Sequence, residues 1–125
     1  KDRASRTATL SKSIRALQSN RSIIIFPEGG IVSNNFPFMA NPLKDGAFAM
    51  AIQQQVPVLP VSFLNNFQMM DDDYFALKPG KIKVIIHAPI ETKGMTQEDM
   101  PMLREKVFQT IQQPILDYHG VDLPQ

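Results

Sequence analysis

The alternation of apolar and polar positions divides the chain into alternating helical and extended segments. From Thr7 to Ser19, Leu10, Ile14 and Leu17 recur at helical spacing, with Lys12, Ser13 and Arg15 between them. Asn20 suits the left-handed residue that ends such a helix. Ser22 to Phe26 is a β-branched apolar run, which predicts a buried strand whose pairing fades at Pro27. Gly29 to Asp45 is a long connection carrying Pro37 and Pro42, and irregular stretches of that length are usually functional or disordered. Gly46 to Gln55 predicts a short apolar helix. Val56 to Phe63 predicts a second strand, edge-located or interrupted because of its two prolines.

Beyond it, Asn65 to Gly80 holds Met69-Met70, the acidic run Asp71-Asp72-Asp73 and a Pro79-Gly80 turn signal. Lys81 to Ile86 alternates as a third strand, extending towards Ile90. Thr96 followed by Asp99 resembles a helix start. Met102, Leu103, Val107, Phe108, Ile111 and Ile115 then define an amphipathic helix to about His119, disturbed at Pro114. Alternating helices and strands predict an α/β domain with a mostly parallel sheet flanked by helices. Residues 1–125 form one domain on this reading. The start at Lys1, inside a charged segment, suggests the C-terminal part of a longer domain, so the sheet is expected to be incomplete.

Composition narrows the function classes. A 43% hydrophobic and 20% charged chain is globular, and a net charge of +1 gives no global argument for nucleic-acid binding. With no cysteine, disulfides, thiolate zinc sites and cysteine nucleophiles are excluded. No apolar run reaches the roughly 18 residues that a membrane-spanning helix requires.

The chemistry concentrates in two places. Glu28-Gly29-Gly30 follows the first strand, and its glycines permit positive φ and close backbone approach to a ligand. Two readings stand for it: a substrate-positioning loop, or a plain turn with a solvated carboxylate. Lys44, where a loop enters a helix, could meet an anion together with the helix dipole, and Arg3, Arg6 and Arg21 add positive charge. For each cation the plainer reading is a solvated side chain. His87 and His119 read as structural, because Thr92 and Pro124 occupy the positions where a His-x-x-x-x-Asp pattern needs its acid. The acidic run reads as a solvated loop, and no metal site is assigned.

Taken in order, these segments resemble the conserved blocks of the glycerolipid acyltransferase family, whose type member acts on 1-acyl-glycerol-3-phosphate (lysophosphatidate). Asp2-Arg3 is similar to the end of the family's second block, and Phe26-Pro27-Glu28-Gly29 to its third. Val56 to Val61 is similar to the fourth, and Leu43-Lys44-Asp45-Gly46-Ala47-Phe48 to the Phe-Lys-x-Gly-Ala segment between them. The resemblance covers most of residues 1–90. Two departures accompany it. The first block, His-x-x-x-x-Asp, is absent, and Gly30-Ile31 replaces the family's Thr-Arg.

The resemblance implies acyl transfer from acyl-CoA or acyl-carrier protein to lysophosphatidate in phospholipid biosynthesis, with no other cofactor. The alternative is a non-catalytic module that binds a lipid phosphate or acyl-CoA. Arg3 and Lys44 are then the expected phosphate ligands. Glu28, Gly29 and Gly30 are expected to position the acceptor, with Val58 and Val61 lining the apolar side. The catalytic dyad is expected outside this chain, so the 125-residue piece is expected to be inactive and to self-associate. A peripheral location on the cytoplasmic face of a membrane is implied as well.

Overall fold

The computed structural model describes residues 3–30, 36–71 and 76–122. Asp2, Ile31 and Asp72-Asp73, which figured in the sequence reading, lie outside them. Four α-helices and four short strands follow one another among the described residues. They are α1 (Arg3–Gln18), α2 (Gly46–Gln54), β1 (Val61–Phe63), α3 (Asn66–Met69), β2 (Met70–Asp71), β3 (Ala76–Leu77), β4 (Val84–Ile86) and α4 (Met100–His119).

The core forms where α2 and α4 face each other. Leu43, Phe48 and Ile52 meet Leu103, Val107 and Phe108, with Ile90 closing one side. The i, i+4 spacing of Phe48 and Ile52, and of Leu103 and Val107, puts each pair on one helix face. Burying side chains of this size contributes about 1.5–3 kcal/mol each. Met39, Val58, Met95, Met100 and Ile111 pack around that centre. The methionines there fill core gaps, a use suited to a flexible unbranched side chain.

Helix ends follow local chemistry. Gln55 closes α2 in the left-handed conformation (φ 51°), and its side chain reaches the carbonyls of Ile52 and Met95. Asn20 does the same after α1 with φ 59°, as its position suggested. Thr96 and Asp99 form a reciprocal capping box, with the Thr96 N–H donating to Asp99 Oδ2 at 2.8 Å. A 3₁₀ turn at Gln97–Asp99 leads from it into α4.

Three expectations are revised. Helix α4 runs through Pro114 without interruption. Gln112, Ile115 and Leu116 are buried on both sides of the proline, and that burial offsets the lost hydrogen bond, which costs about 3 kcal/mol. Helix α1 starts at Arg3, four residues earlier than the apolar spacing indicated, and buries no side chain fully.

The third revision concerns the sheet. The α/β class holds, but the ladders among the described residues are antiparallel. Val61 pairs with Ile86, Ser62 with Ile85 and Phe63 with Val84, and a further bridge joins Val58 to Ile90. Pro57, Pro60 and Pro89 interrupt this ribbon because none can donate to a ladder. Ile23 to Phe26 joins no ladder among the described residues, and Ile24 is 87% and Phe26 75% exposed. A β-branched run sets a backbone preference; burial also needs neighbours on either side, and the described residues leave Ile24 and Phe26 uncovered.

Candidate functional site

The turn after Phe26 is built to hold the loop that follows it. Gly29 adopts φ 76°, a conformation that side-chain-bearing residues rarely take, and its N–H donates to the Phe26 carbonyl at 3.3 Å. The returning half of the connection is tied back onto this turn twice. Glu28 Oε2 accepts the Ala40 N–H at 2.9 Å, and the Pro27 carbonyl accepts the Lys44 N–H at 2.8 Å. Lys44 therefore runs directly over Gly29. A Cβ at residue 29 would lie 3.1 Å from Lys44 Cγ and 3.2 Å from its Cε. Glycine here serves both the backbone angle and the passage of the lysine.

Helix α4 anchors the same loop from the other side. Gln112, 1% exposed, accepts the Met39 N–H on Oε1 at 2.6 Å and donates through Nε2 to the Pro37 carbonyl at 2.9 Å. Two turns earlier on that helix, Arg104 forms an ion pair with Asp45 through Nη1 and Oδ1. Asp45 occupies the N-cap position of α2, yet its carboxylate makes no cap bond and turns to the arginine instead.

Two cavities meet at Glu28. The smaller, about 410 Å³, is lined by Glu28, Lys44, Asp45 and Arg104 together with residues 40–43. It carries two cations and two carboxylates, a setting for a polar or phosphorylated group. The larger, about 1560 Å³, is apolar. Ile24, Phe26, Val58, Val61 and Phe48 contribute to its walls, and Gly29 and Gly30 border it. Glu28 lines both. An amphiphile with a charged head and a hydrocarbon tail matches this pair of neighbours.

Of the residues expected to form the site, Glu28, Gly29 and Lys44 come together, with Gly30 on the apolar rim. Arg3 begins the exposed helix α1 and lines neither cavity. Arg104, Asp45 and Gln112 escaped the sequence reading as site residues. Their signal was present: Arg104, Phe108 and Gln112 recur at four-residue intervals, placing a cation and an amide beside the apolar stripe of α4.

The histidines have other duties. Ser62, fully buried, donates its one hydroxyl proton to the Ile111 carbonyl at 2.9 Å, so the 2.8 Å contact with His87 Nε2 has the imidazole as donor. That arrangement pins β1 to α4 and leaves no nucleophile. His119 donates from Nε2 to the Leu64 carbonyl and packs edge-on against Phe36 at 4.7 Å. No group of three or more metal-ligating side chains occurs among the described residues, and none of their helices is long and apolar enough to cross a membrane.

This geometry coincides with a match at the level of families. Residues 1–64 fit a family model described as Acyltransferase. Curated relatives include the mouse 1-acyl-sn-glycerol-3-phosphate acyltransferase alpha, 34% identical over 66% of this chain and 28% of the relative. The Saccharomyces cerevisiae 1-acyl-sn-glycerol-3-phosphate acyltransferase is 32% identical over 79% of this chain and 33% of its own length. A solved structure, the 1-acyl-sn-glycerophosphate (LPA) acyltransferase PlsC from Thermotoga maritima, superposes with a TM-score of 0.75. It is 25% identical, over 92% of this chain and 46% of that one. The chain belongs to the acyltransferase family, within the 1-acyl-sn-glycerol-3-phosphate acyltransferase group. It spans about a third of the length of the curated relatives it matches.

Proposed function

We propose that the protein containing these residues transfers an acyl group from acyl-CoA or acyl-carrier protein to 1-acyl-glycerol-3-phosphate, in phospholipid synthesis. The observation that carries this reading is Glu28 at the junction of a charged cavity and an apolar one. The acceptor's glycerol phosphate would occupy the first, held by Lys44, and its hydrocarbon the second, along Val58 and Val61. Glu28, with the Gly29 and Gly30 turn, would position the acceptor hydroxyl. Arg3 remains a phosphate ligand only if the segment before α1 turns it towards the cavity.

The reaction needs a base that this segment does not contribute: neither histidine precedes an aspartate by five residues. In this reading the base lies in polypeptide outside residues 1–125. It would take the proton from the acceptor hydroxyl as the oxygen attacks the thioester carbonyl. The C–O ester bond forms, the C–S bond breaks, and the proton passes to the departing thiolate. No covalent acyl-enzyme is required, which suits a chain without cysteine. The same outside polypeptide would pair with the exposed Ile23–Phe26 stretch and complete a mostly parallel sheet. The exposure of Ile24 and Phe26 and the 46% coverage of the Thermotoga structure support that completion. Association would be peripheral, at the cytoplasmic face of a membrane.

The test is product formation by the full-length protein from lysophosphatidate and each thioester donor. Phosphatidate should appear. If no donor supports transfer, the assignment fails. If the full reading frame lacks a His-x-x-x-x-Asp block and the protein still binds lysophosphatidate, the site is a lipid-phosphate binding module instead.

A further inference from the structure

We propose that Arg104 is the phosphate-recognition residue of this acyltransferase, exchanging Asp45 for the phosphate of the acceptor. The inference rests on the acceptor assignment above and adds to it a residue on α4, beyond the region matched by the family model.

The charges around the small cavity point to it. Among the described residues, its lining contains two cations, Lys44 and Arg104. Lys44 is a single ammonium whose stem is occupied in crossing Gly29. A phosphate monoester carries close to two negative charges near neutral pH, so one lysine leaves it partly uncompensated. Arginine adds a planar fork that meets two phosphate oxygens at once, which lysine cannot do. The position after Glu28-Gly29, where the family resemblance places an arginine, is Gly30-Ile31 here. The guanidinium arrives from α4 instead, through the packing of the α2–α4 core.

Asp45 makes the exchange feasible. Its side chain is 57% exposed and that of Arg104 24%. An ion pair this open to solvent is worth about 0–1 kcal/mol, so giving it up costs little. A guanidinium has five N–H donors, and the contact to Asp45 is made through Nη1. Asp45 thus holds Arg104 beside the cavity while the site is empty, and an arriving phosphate competes for the same fork. Lipid head phosphate and inorganic phosphate share this chemistry, and the acceptor's own hydrocarbon would separate them by engaging the apolar cavity.

The experiment uses the full-length protein with acyl-CoA as donor. It compares 1-acyl-glycerol-3-phosphate with 1-monoacylglycerol, the same acceptor without its phosphate. Arg104→Ala should raise KM for lysophosphatidate by about tenfold or more, the worth of a charge-assisted hydrogen bond to an ionised group. It should change kcat less, and it should cut the preference for the phosphorylated acceptor by a similar factor. Arg104→Lys should recover part of the loss. Asp45→Asn supplies the readout whose direction separates phosphate recognition from a purely structural ion pair. Freed from its competitor, Arg104 should lower KM for lysophosphatidate, whereas a structural pair predicts that both variants weaken it alike. Inorganic phosphate should inhibit the wild type and inhibit Arg104→Ala less. If the wild type esterifies neither acceptor, the acceptor assignment falls and this proposal with it. If the wild type is active and Arg104→Ala keeps its KM and its preference, Arg104 alone is wrongly placed.

Discussion

Glu28 Oε2 accepts the backbone N–H of Ala40 at 2.9 Å, across twelve positions of sequence and at the meeting point of two cavities. A carboxylate expected to face substrate thus also fastens the loop that delivers Lys44. Glu28→Ala leaves the Ala40 N–H without its acceptor and should cost about 1–3 kcal/mol of stability. Glu28→Gln keeps an acceptor oxygen and should cost distinctly less. Urea unfolding of the two variants checks the difference. Equal losses would mean that the loop does not depend on this bond.

Gly29 cannot accept a side chain without moving Lys44. Gly29→Ala combines a left-handed backbone, worth about 1–2 kcal/mol of strain in a non-glycine residue, with the 3.1 Å approach to Lys44 Cγ. Stability should fall by about that amount, and KM for the phosphorylated acceptor should rise because the ammonium is displaced. Steady-state kinetics beside thermal unfolding separates the two effects. A stability loss with an unchanged KM would place the Lys44 ammonium outside the phosphate contact.

Gln112 is the buried clasp between α4 and the loop. Gln112→Leu removes the partners of the Met39 N–H and the Pro37 carbonyl together, at about 1–3 kcal/mol for each group left unsatisfied. Amide hydrogen exchange at Met39 and Ala40 should accelerate while that of the α2 interior stays slow. Unchanged exchange at Met39 would show that the loop is held by other means.

How much of this was legible beforehand depended on how local each cause was. The ends of α2 and α4 could be read because Gln55, Thr96 and Asp99 act on backbone within a few residues. The turn at Gly29 and the lysine at the entry to α2 were visible for the same reason. The pairing of Val61 with Ile86 was not, because alternation in two strands does not state their relative direction. Burial of Ile24 and Phe26 was inferred from a residue type, although it depends on which neighbours are present. Arg104 and Gln112 were hidden most deeply. Their contacts with Asp45 and Met39 span 59 and 73 residues and follow only from docking α4 on α2. Pro114 misled in the opposite sense, since the burial around it outweighs the intrinsic cost of a proline within a helix.

The exposed apolar surface has a physical consequence for residues 1–125 as an isolated polypeptide. Ile24, Phe26 and Ile86 are 87%, 75% and 70% exposed, and Ile23–Phe26 joins no ladder among the described residues. Unpaired edges and large apolar patches promote association. Sedimentation should show concentration-dependent self-association, reduced by Phe26→Ser and Ile24→Asn. A strictly monomeric polypeptide at every concentration would contradict this account of that face.

The most direct measurement is the rate of phosphatidate formation by the full-length protein, supplied with 1-acyl-glycerol-3-phosphate and acyl-CoA or acyl-carrier protein. It should be made for the wild type and for Glu28→Ala at a temperature where both are folded. The account predicts transfer by the wild type and a loss of about 100-fold in the variant, the scale set by misplacing a bound reactant by an ångström. Absence of transfer from both donors, or a Glu28→Ala rate equal to that of the wild type, would contradict it.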